Sequence, residues 1–220
     1  MARRPEQAQN PRRKPRQSRS QETSRAIRDA FVRLLGEKPY EQVTIREIVL
    51  VAGVGLGTFY EYFGSKDALA RACVHLRTKE LLQAMQRRRA ELGAYDLATG
   101  IAAGIDAQAR IYETAPREWA QHFLLERHKS DLKYYLSAYD LFLAEWRGLL
   151  EGASDWPKAA PADNAALVVF TLLYGMFARA LMAGGGAPAL KALRGDLQRA
   201  AVACVTALAA APLANARGLR

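Results

Sequence analysis

Apolar residues recur along the chain at three- and four-residue spacing, and runs that alternate every second residue are absent, so the pattern predicts an all-α protein. The first helix is expected at roughly 20–36, with Ile27, Ala30, Phe31, Leu34 and Leu35 on one face and Gly36 ending it ahead of Lys38-Pro39. Thr44-Ile45-Arg46-Glu47 reads as a capping box, in which the Thr hydroxyl accepts from the Glu47 amide and the Glu carboxylate reaches back to the Thr44 amide. A short helix with Ile45, Ile48, Val49 and Ala52 as its buried stripe therefore starts there and stops at Gly53. A second short helix follows over Leu56 to Tyr62, closed by Phe63-Gly64. Ser65 caps a longer helix that opens at Lys66 and runs to about Leu92. Further helices are predicted at roughly 96–114, 116–128, 131–151, 162–183 and 188–211, with loops at 152–161 and 184–188, and no repeat of fixed period is present.

Two short helices around a tight glycine turn make a helix-turn-helix, whose second helix is shaped to lie in a major groove while the first crosses the backbone. Residues 44–63 fit that plan. So little apolar surface cannot hold itself together, so the first helix is expected to complete a core of Phe31, Leu34, Leu35, Ile45, Ile48, Val54, Phe59 and Phe63. The expected organisation is a basic arm at 1–19, a three-helix head at 20–66 and a larger helical bundle at 67–215.

Charge sharpens this picture. The 220-residue chain is 50% hydrophobic and carries a formal charge of +10, which favours an anionic partner. Residues 1–20 hold seven basic groups against Glu6 alone, a net +6. With Pro5, Pro11 and Pro15 and almost nothing apolar, this stretch reads as a flexible arm that either only solubilises or reaches into a minor groove. Cys73 and Cys204 lie far apart and read as small buried hydrophobes. No stretch approaches the roughly 20 uninterrupted apolar residues of a membrane span, and no apolar core follows the basic N-terminus, so no membrane partner is expected and the location is expected to be cytoplasmic, on the nucleoid when bound.

Catalytic and metal chemistry find no constellation. Gly53 to Thr58 superficially resembles a phosphate-cradling loop, but no strand precedes it and no lysine follows at P-loop spacing. His75, His122 and His128 lack ligand spacing with cysteine or carboxylate, and no Ser, Cys and His arrangement suggests a nucleophile. Neither an enzyme nor a cofactor is expected.

Val43 to Ile48, followed by AGVGLGTFYEYFGSKDAL from Ala52 to Leu69, resembles the TetR family of bacterial regulators over about residues 20–72. The capping Thr, the Ala-Gly-Val turn, the Gly-Thr-x-Tyr-x-Tyr-Phe helix and the Ser-Lys pair occur in order. The resemblance implies a sequence-specific transcriptional regulator, a repressor released from a palindromic double-stranded operator by an unidentified small-molecule effector. It implies that Leu56, Gly57 and Thr58 face base edges and that Thr44, Tyr60, Tyr62 and Lys66 contact phosphates. Gly57 permits close approach, Thr58 offers a hydroxyl and a methyl, and Leu56 suits a thymine methyl. Two positions depart from the common pattern: Gly55 stands where Ser or Thr often caps the recognition helix, and Leu56 where a polar or basic residue is frequent, which weakens guanine readout. Two alternatives stand beside this reading: a ligand-independent, DNA-organising or constitutive regulator of the same fold, and a helical interaction protein that binds no DNA.

Residues 116–146 are dense in aromatics. The resemblance implies an effector cavity among the middle helices, and Trp119, His122, Phe123, Tyr139, Phe142, Trp146, Phe170 and Tyr174 are the candidates to line it. These aromatics together with Arg110, His122, Arg127 and Arg179 would tolerate an apolar ligand with a polar or anionic end; the alternative is that the charged groups face water. The last two helices are apolar on more than one face, which the resemblance identifies as the homodimer interface.

Overall fold

A computed structural model describes residues 16–158 and 160–210. Among these residues the chain is helical and no strand occurs: α1 (Arg16–Glu37), a 3-10 turn (Tyr40–Gln42), α2 (Ile45–Ala52), α3 (Leu56–Tyr62), α4 (Lys66–Ala90), α5 (Leu97–Thr114), α6 (Pro116–Lys129), α7 (Leu132–Glu151), α8 (Asp163–Met182) and α9 (Gly186–Ala210). The capping residues set these boundaries. Thr44, Ser65, Asp96 and Asp131 each accept from a backbone amide of the first turn they precede, and Pro116 opens α6.

The apolar stripes gather into two cores. In the head, Ile27, Phe31, Leu34 and Leu35 of α1 meet Ile48 and Val49 of α2 and Phe59 and Phe63, with Ile45 and Val54 half-buried at the edge. Burying each large side chain contributes roughly 1.5–3 kcal/mol. This core does not close at residue 66: Leu69, Ala70, Cys73 and Val74 of α4 and Leu125 of α6 belong to it, so the expected boundary divides one continuous helix. The larger core lies among α4 to α9, where α9 packs against α5 and α8, and α7 against α8.

Four expectations need correction or qualification. Residues 16–19, assigned to the arm, form the first turn of α1, where Thr23 donates to the Arg19 carbonyl at 3.0 Å and Pro15 stands just ahead in the sequence. The rest of the arm at 1–15, and 211–215 at the expected end of the bundle, lie outside the described residues. Cys73 is buried, and burial pushes its thiol up to about 12, whereas Cys204 is exposed because it sits on the outward face of α9. Finally, α8 is long and apolar enough to cross a membrane by length and composition. Here its inner face, with Val169, Phe170, Leu173 and Phe177, is packed into the bundle.

Candidate nucleic-acid interface and aromatic pocket

The α2–α3 unit is held by local chemistry at each end. The Thr44 hydroxyl accepts from the Glu47 amide at 3.3 Å, and the Glu47 carboxylate accepts from the Thr44 amide at 2.9 Å. Lys38 donates to the same carboxylate at 2.5 Å, and this ammonium, with Thr44, holds the Glu47 carboxyl down to about 2. Gly53 ends α2 at φ 68°, a left-handed conformation that costs a residue with a Cβ roughly 1 kcal/mol or more. Gly55 precedes α3 in extended conformation and supplies no side-chain cap.

Within α3 the sequence splits into an anchoring and a displayed face. Phe59 is fully buried and Phe63 nearly so, while Leu56 is 45% and Tyr60 53% exposed, with Gly57 open beside them and Thr58 half-buried. The Tyr60 ring stands edge-on to Phe59 at 5.4 Å, so its hydroxyl is directed by a packed neighbour. Tyr62 is half-buried and its hydroxyl donates to Ser20 of α1 at 3.1 Å.

Lys66 is placed differently from a free phosphate ligand. Its ammonium donates to the carbonyls of Tyr40 at 2.9 Å and Val43 at 2.8 Å and lies 4.1 Å from the centre of the Tyr40 ring, and burial lowers its pKa. The Tyr40 hydroxyl donates to Asp67, which also pairs with Lys129 at 3.0 Å. The 3-10 turn thus knots the entrance of α2 to the start of α4 and the end of α6. Sequence reading passed over Tyr40, since three residues carry no periodicity; the Pro39-Tyr40 pair was its only signal.

Among the eight cavity candidates, His122, Phe123, Tyr139, Phe142, Phe170 and Tyr174 line one pocket between α4, α5, α6, α7 and α8. Trp119 and Trp146 do not. Trp119 is buried under the Arg77 guanidinium, 4.9 Å from its ring, and Arg77 in turn pairs with Glu118. Trp146 is buried against Gly104, where an added Cβ would come within 2.5 Å of its Cη2. Sequence reading missed Thr78, Leu81, Tyr112, Glu126, Tyr135 and Ala138, all part of the wall. Arg110, Arg127 and Arg179 are exposed and are not among its lining residues, which fits the alternative that they face water, although Arg127 reaches the Tyr174 hydroxyl from outside. The wall's carboxylate is Glu126, which accepts from the Tyr174 hydroxyl at 2.8 Å and whose pKa is raised by burial. The rings stand close, with Tyr139 and Phe170 4.5 Å apart and Phe142 stacked on Phe170 at 5.1 Å, and they leave about 20 Å³ free, room for a water molecule.

Known proteins resemble this chain in its head and in its fold. Residues 27–73 match the family described as bacterial regulatory proteins, tetR family. The HTH-type transcriptional regulator BetI of Stenotrophomonas maltophilia (strain R551-3) is 31% identical over 99 residues, covering 44% of this chain and half the length of that relative. The transcriptional regulator FadR of Bacillus subtilis, solved in complex with stearoyl-CoA, superposes with a TM-score of 0.68 at 19% identity over 82% of this chain and 98% of that one. A TetR transcriptional regulator from Rhodococcus sp. RHA1 gives 0.58 at 18% identity over 85% and 97%. The fold of the described residues is therefore similar to that of these regulators, and the residues of its head, 27–73, are the ones that match the bacterial regulatory proteins of the tetR family.

Proposed function

We propose that this protein regulates transcription as a homodimer that represses from a palindromic operator and is released by a small molecule bound in the aromatic pocket. The observation that carries the DNA-binding half is the split face of α3: Phe59 and Phe63 fix the helix from behind while Leu56, Gly57 and Tyr60 stand clear of the core. On this reading Leu56, Gly57 and Thr58 meet base edges, and Thr44, Tyr60 and Tyr62 meet phosphates. Lys66 reaches a phosphate only by leaving the carbonyls of Tyr40 and Val43, so its first role is to fasten the turn that aims α2. The protein then works in the cytoplasm, at the nucleoid.

Release is supported by α4, which belongs to both parts. Its first residue, Lys66, holds the head's entrance turn, and Thr78 and Leu81 further along form part of the pocket wall. Twelve residues of helix carry a displacement about 18 Å with little bending. A ligand that widens the pocket pushes on the same rod that positions both α2 and α3. A differential affinity of about 1–3 kcal/mol between two head spacings suffices for regulation. FadR of Bacillus subtilis, a protein of similar fold, was solved in complex with stearoyl-CoA, which supports a small-molecule ligand for this chain. The closed pocket of about 20 Å³ favours a second reading, a constitutive regulator with a packed bundle.

Selection of genomic fragments by the purified protein, with footprinting of the best site at low and high salt, tests the first half. A protected palindrome whose affinity falls steeply with salt is expected. Binding without sequence preference would favour a DNA-organising role, and no binding at low salt would end the proposal.

A further inference from the structure

The pocket holds a buried carboxyl group that has no ion-pair partner among the described residues. Glu126 is 7% exposed, and among the described residues no ammonium or guanidinium lies within ion-pairing distance of its carboxylate. Its one bond in the wall is the Tyr174 hydroxyl at 2.8 Å. One helical turn earlier on α6, His122 also faces the pocket, 6% exposed, and its Nδ1 has no hydrogen-bond partner among the described residues. Burial, reinforced by Arg77, holds this imidazole down to about 3, so at neutral pH it is uncharged and adds no positive charge to the site. Arg127, the next residue on α6, is exposed and reaches the Tyr174 hydroxyl from outside the wall, but it forms no ion pair with Glu126 and lowers that carboxyl only against the larger effect of burial.

The remainder of the wall is aromatic. Phe123 and Tyr174 meet at 5.2 Å, Tyr139 and Phe170 at 4.5 Å, and Phe142 stacks on Phe170. Ring faces carry the negative end of a quadrupole, and a desolvated cation over them gains more than it would at a surface. A buried carboxylate without a counter-ion is costly, and a ligand that brings the missing charge removes that cost. A carboxylate-bearing or sulfonate-bearing ligand would instead meet Glu126 at short range in a poorly solvated space.

Resting on the reading of this pocket as the effector site, we propose that its ligand class is an apolar organic cation, a protonated or quaternary amine on a small aromatic or aliphatic body. The ammonium sits between the Glu126 carboxylate and the faces of Tyr174 and Phe170, and the unpartnered His122 Nδ1 is the second polar group it can reach. Tyr135 and Tyr139, half-buried, are the side chains that move to admit it.

Three probes of one shape test the assignment on the full chain without DNA: benzyltrimethylammonium, its neutral carbon isostere neopentylbenzene, and the anion benzylsulfonate. The cost of opening the pocket is common to all three and cancels in their ratio. The cation is expected to bind saturably by ligand-observed NMR or calorimetry, about tenfold tighter than the neutral isostere, with the anion weakest. Glu126→Gln retains the volume and an acceptor for Tyr174 and is expected to lose that tenfold preference, while Arg127→Gln, outside the wall, tightens cation binding. If Glu126→Gln does not fold, the probe series and Arg127→Gln still decide. Equal binding of the neutral or anionic probe, a cation affinity indifferent to both substitutions, or no saturable cation binding at millimolar concentration overturns the proposal. Adding the selected operator separates the two readings. A cation that binds but leaves DNA affinity unchanged keeps this ligand class and defeats ligand release, whereas release by the anion alone keeps ligand release and defeats the class.

Discussion

An alanine at Gly57 tests the recognition face without touching the core. A Cβ there meets nothing within 4 Å, and alanine gains roughly 1 kcal/mol of helix propensity over glycine. Gly57→Ala is therefore expected to leave the thermal midpoint unchanged or slightly higher while weakening operator binding, measured by melting and by fluorescence anisotropy on the same preparation. Undiminished operator affinity would remove Gly57 from the DNA contact. At this scale sequence reads well where one side chain's neighbours are fixed locally: Phe59 and Phe63 had to face inward at their helical spacing, and Tyr60, between them, had to face out. It reads poorly where a residue type has two equally good uses. Trp119 and Trp146 share the spacing and size of the pocket aromatics, and only their partners, Arg77 for the one and Gly104 for the other, show that they are packed elsewhere.

Caps made the elements legible, since a cap is a contact within four residues. The box at Thr44, the serine at Ser65 and the left-handed Gly53 all stand where local chemistry placed them. The turn at Tyr40–Gln42 was not legible, because its reason for existing lies 23–27 residues away in Lys66 and Asp67. The same cap gives α2 an acid sensitivity. The Glu47 carboxyl is held below its ordinary value in the folded head, so its contribution to stability is present above about pH 4.5 and is lost as the pH falls toward 2. Asp67 acts in the same direction through Tyr40 and Lys129. His122, held neutral by burial, also destabilises on acidification, between about 6.5 and 3, whereas Glu126, with its raised pKa, acts in the opposite sense. Glu47→Gln is thus expected to be less stable than the parent at pH 7 and to lose less on acidification from pH 5 to 2. Melting curves of the two proteins that run parallel across that range would remove Glu47 from the acid response.

At the scale of the molecule, two faces of α8 have different fates. Val169, Phe170, Leu173 and Phe177 fill the bundle, while Val168 and Met176 remain 37% and 40% exposed, with Gly175 open between them and the central rows of the bundle. On α9, Leu208 at 39% and Cys204 continue the outward apolar surface. Sequence showed that these helices were apolar on more than one side but not which side was left over, because that depends on how α5 and α9 meet. A second copy of the chain is the occupant proposed for the outward side, and the small Gly175 and Ala203 allow helices to approach closely there. Met176→Glu places a charge in that contact while leaving the inner face alone. The parent protein is expected to sediment as a dimer at micromolar concentration and Met176→Glu as a monomer with an unchanged helical signal. The same substitution should cost operator affinity steeply, since a palindrome rewards only a protein that engages both half-sites. Cys204 gives an independent reading: a thiol reagent should label it slowly in the dimeric parent and quickly in the variant. A parent that sediments as a monomer yet protects a palindrome would mean that the DNA, rather than α8 and α9, brings the two heads together.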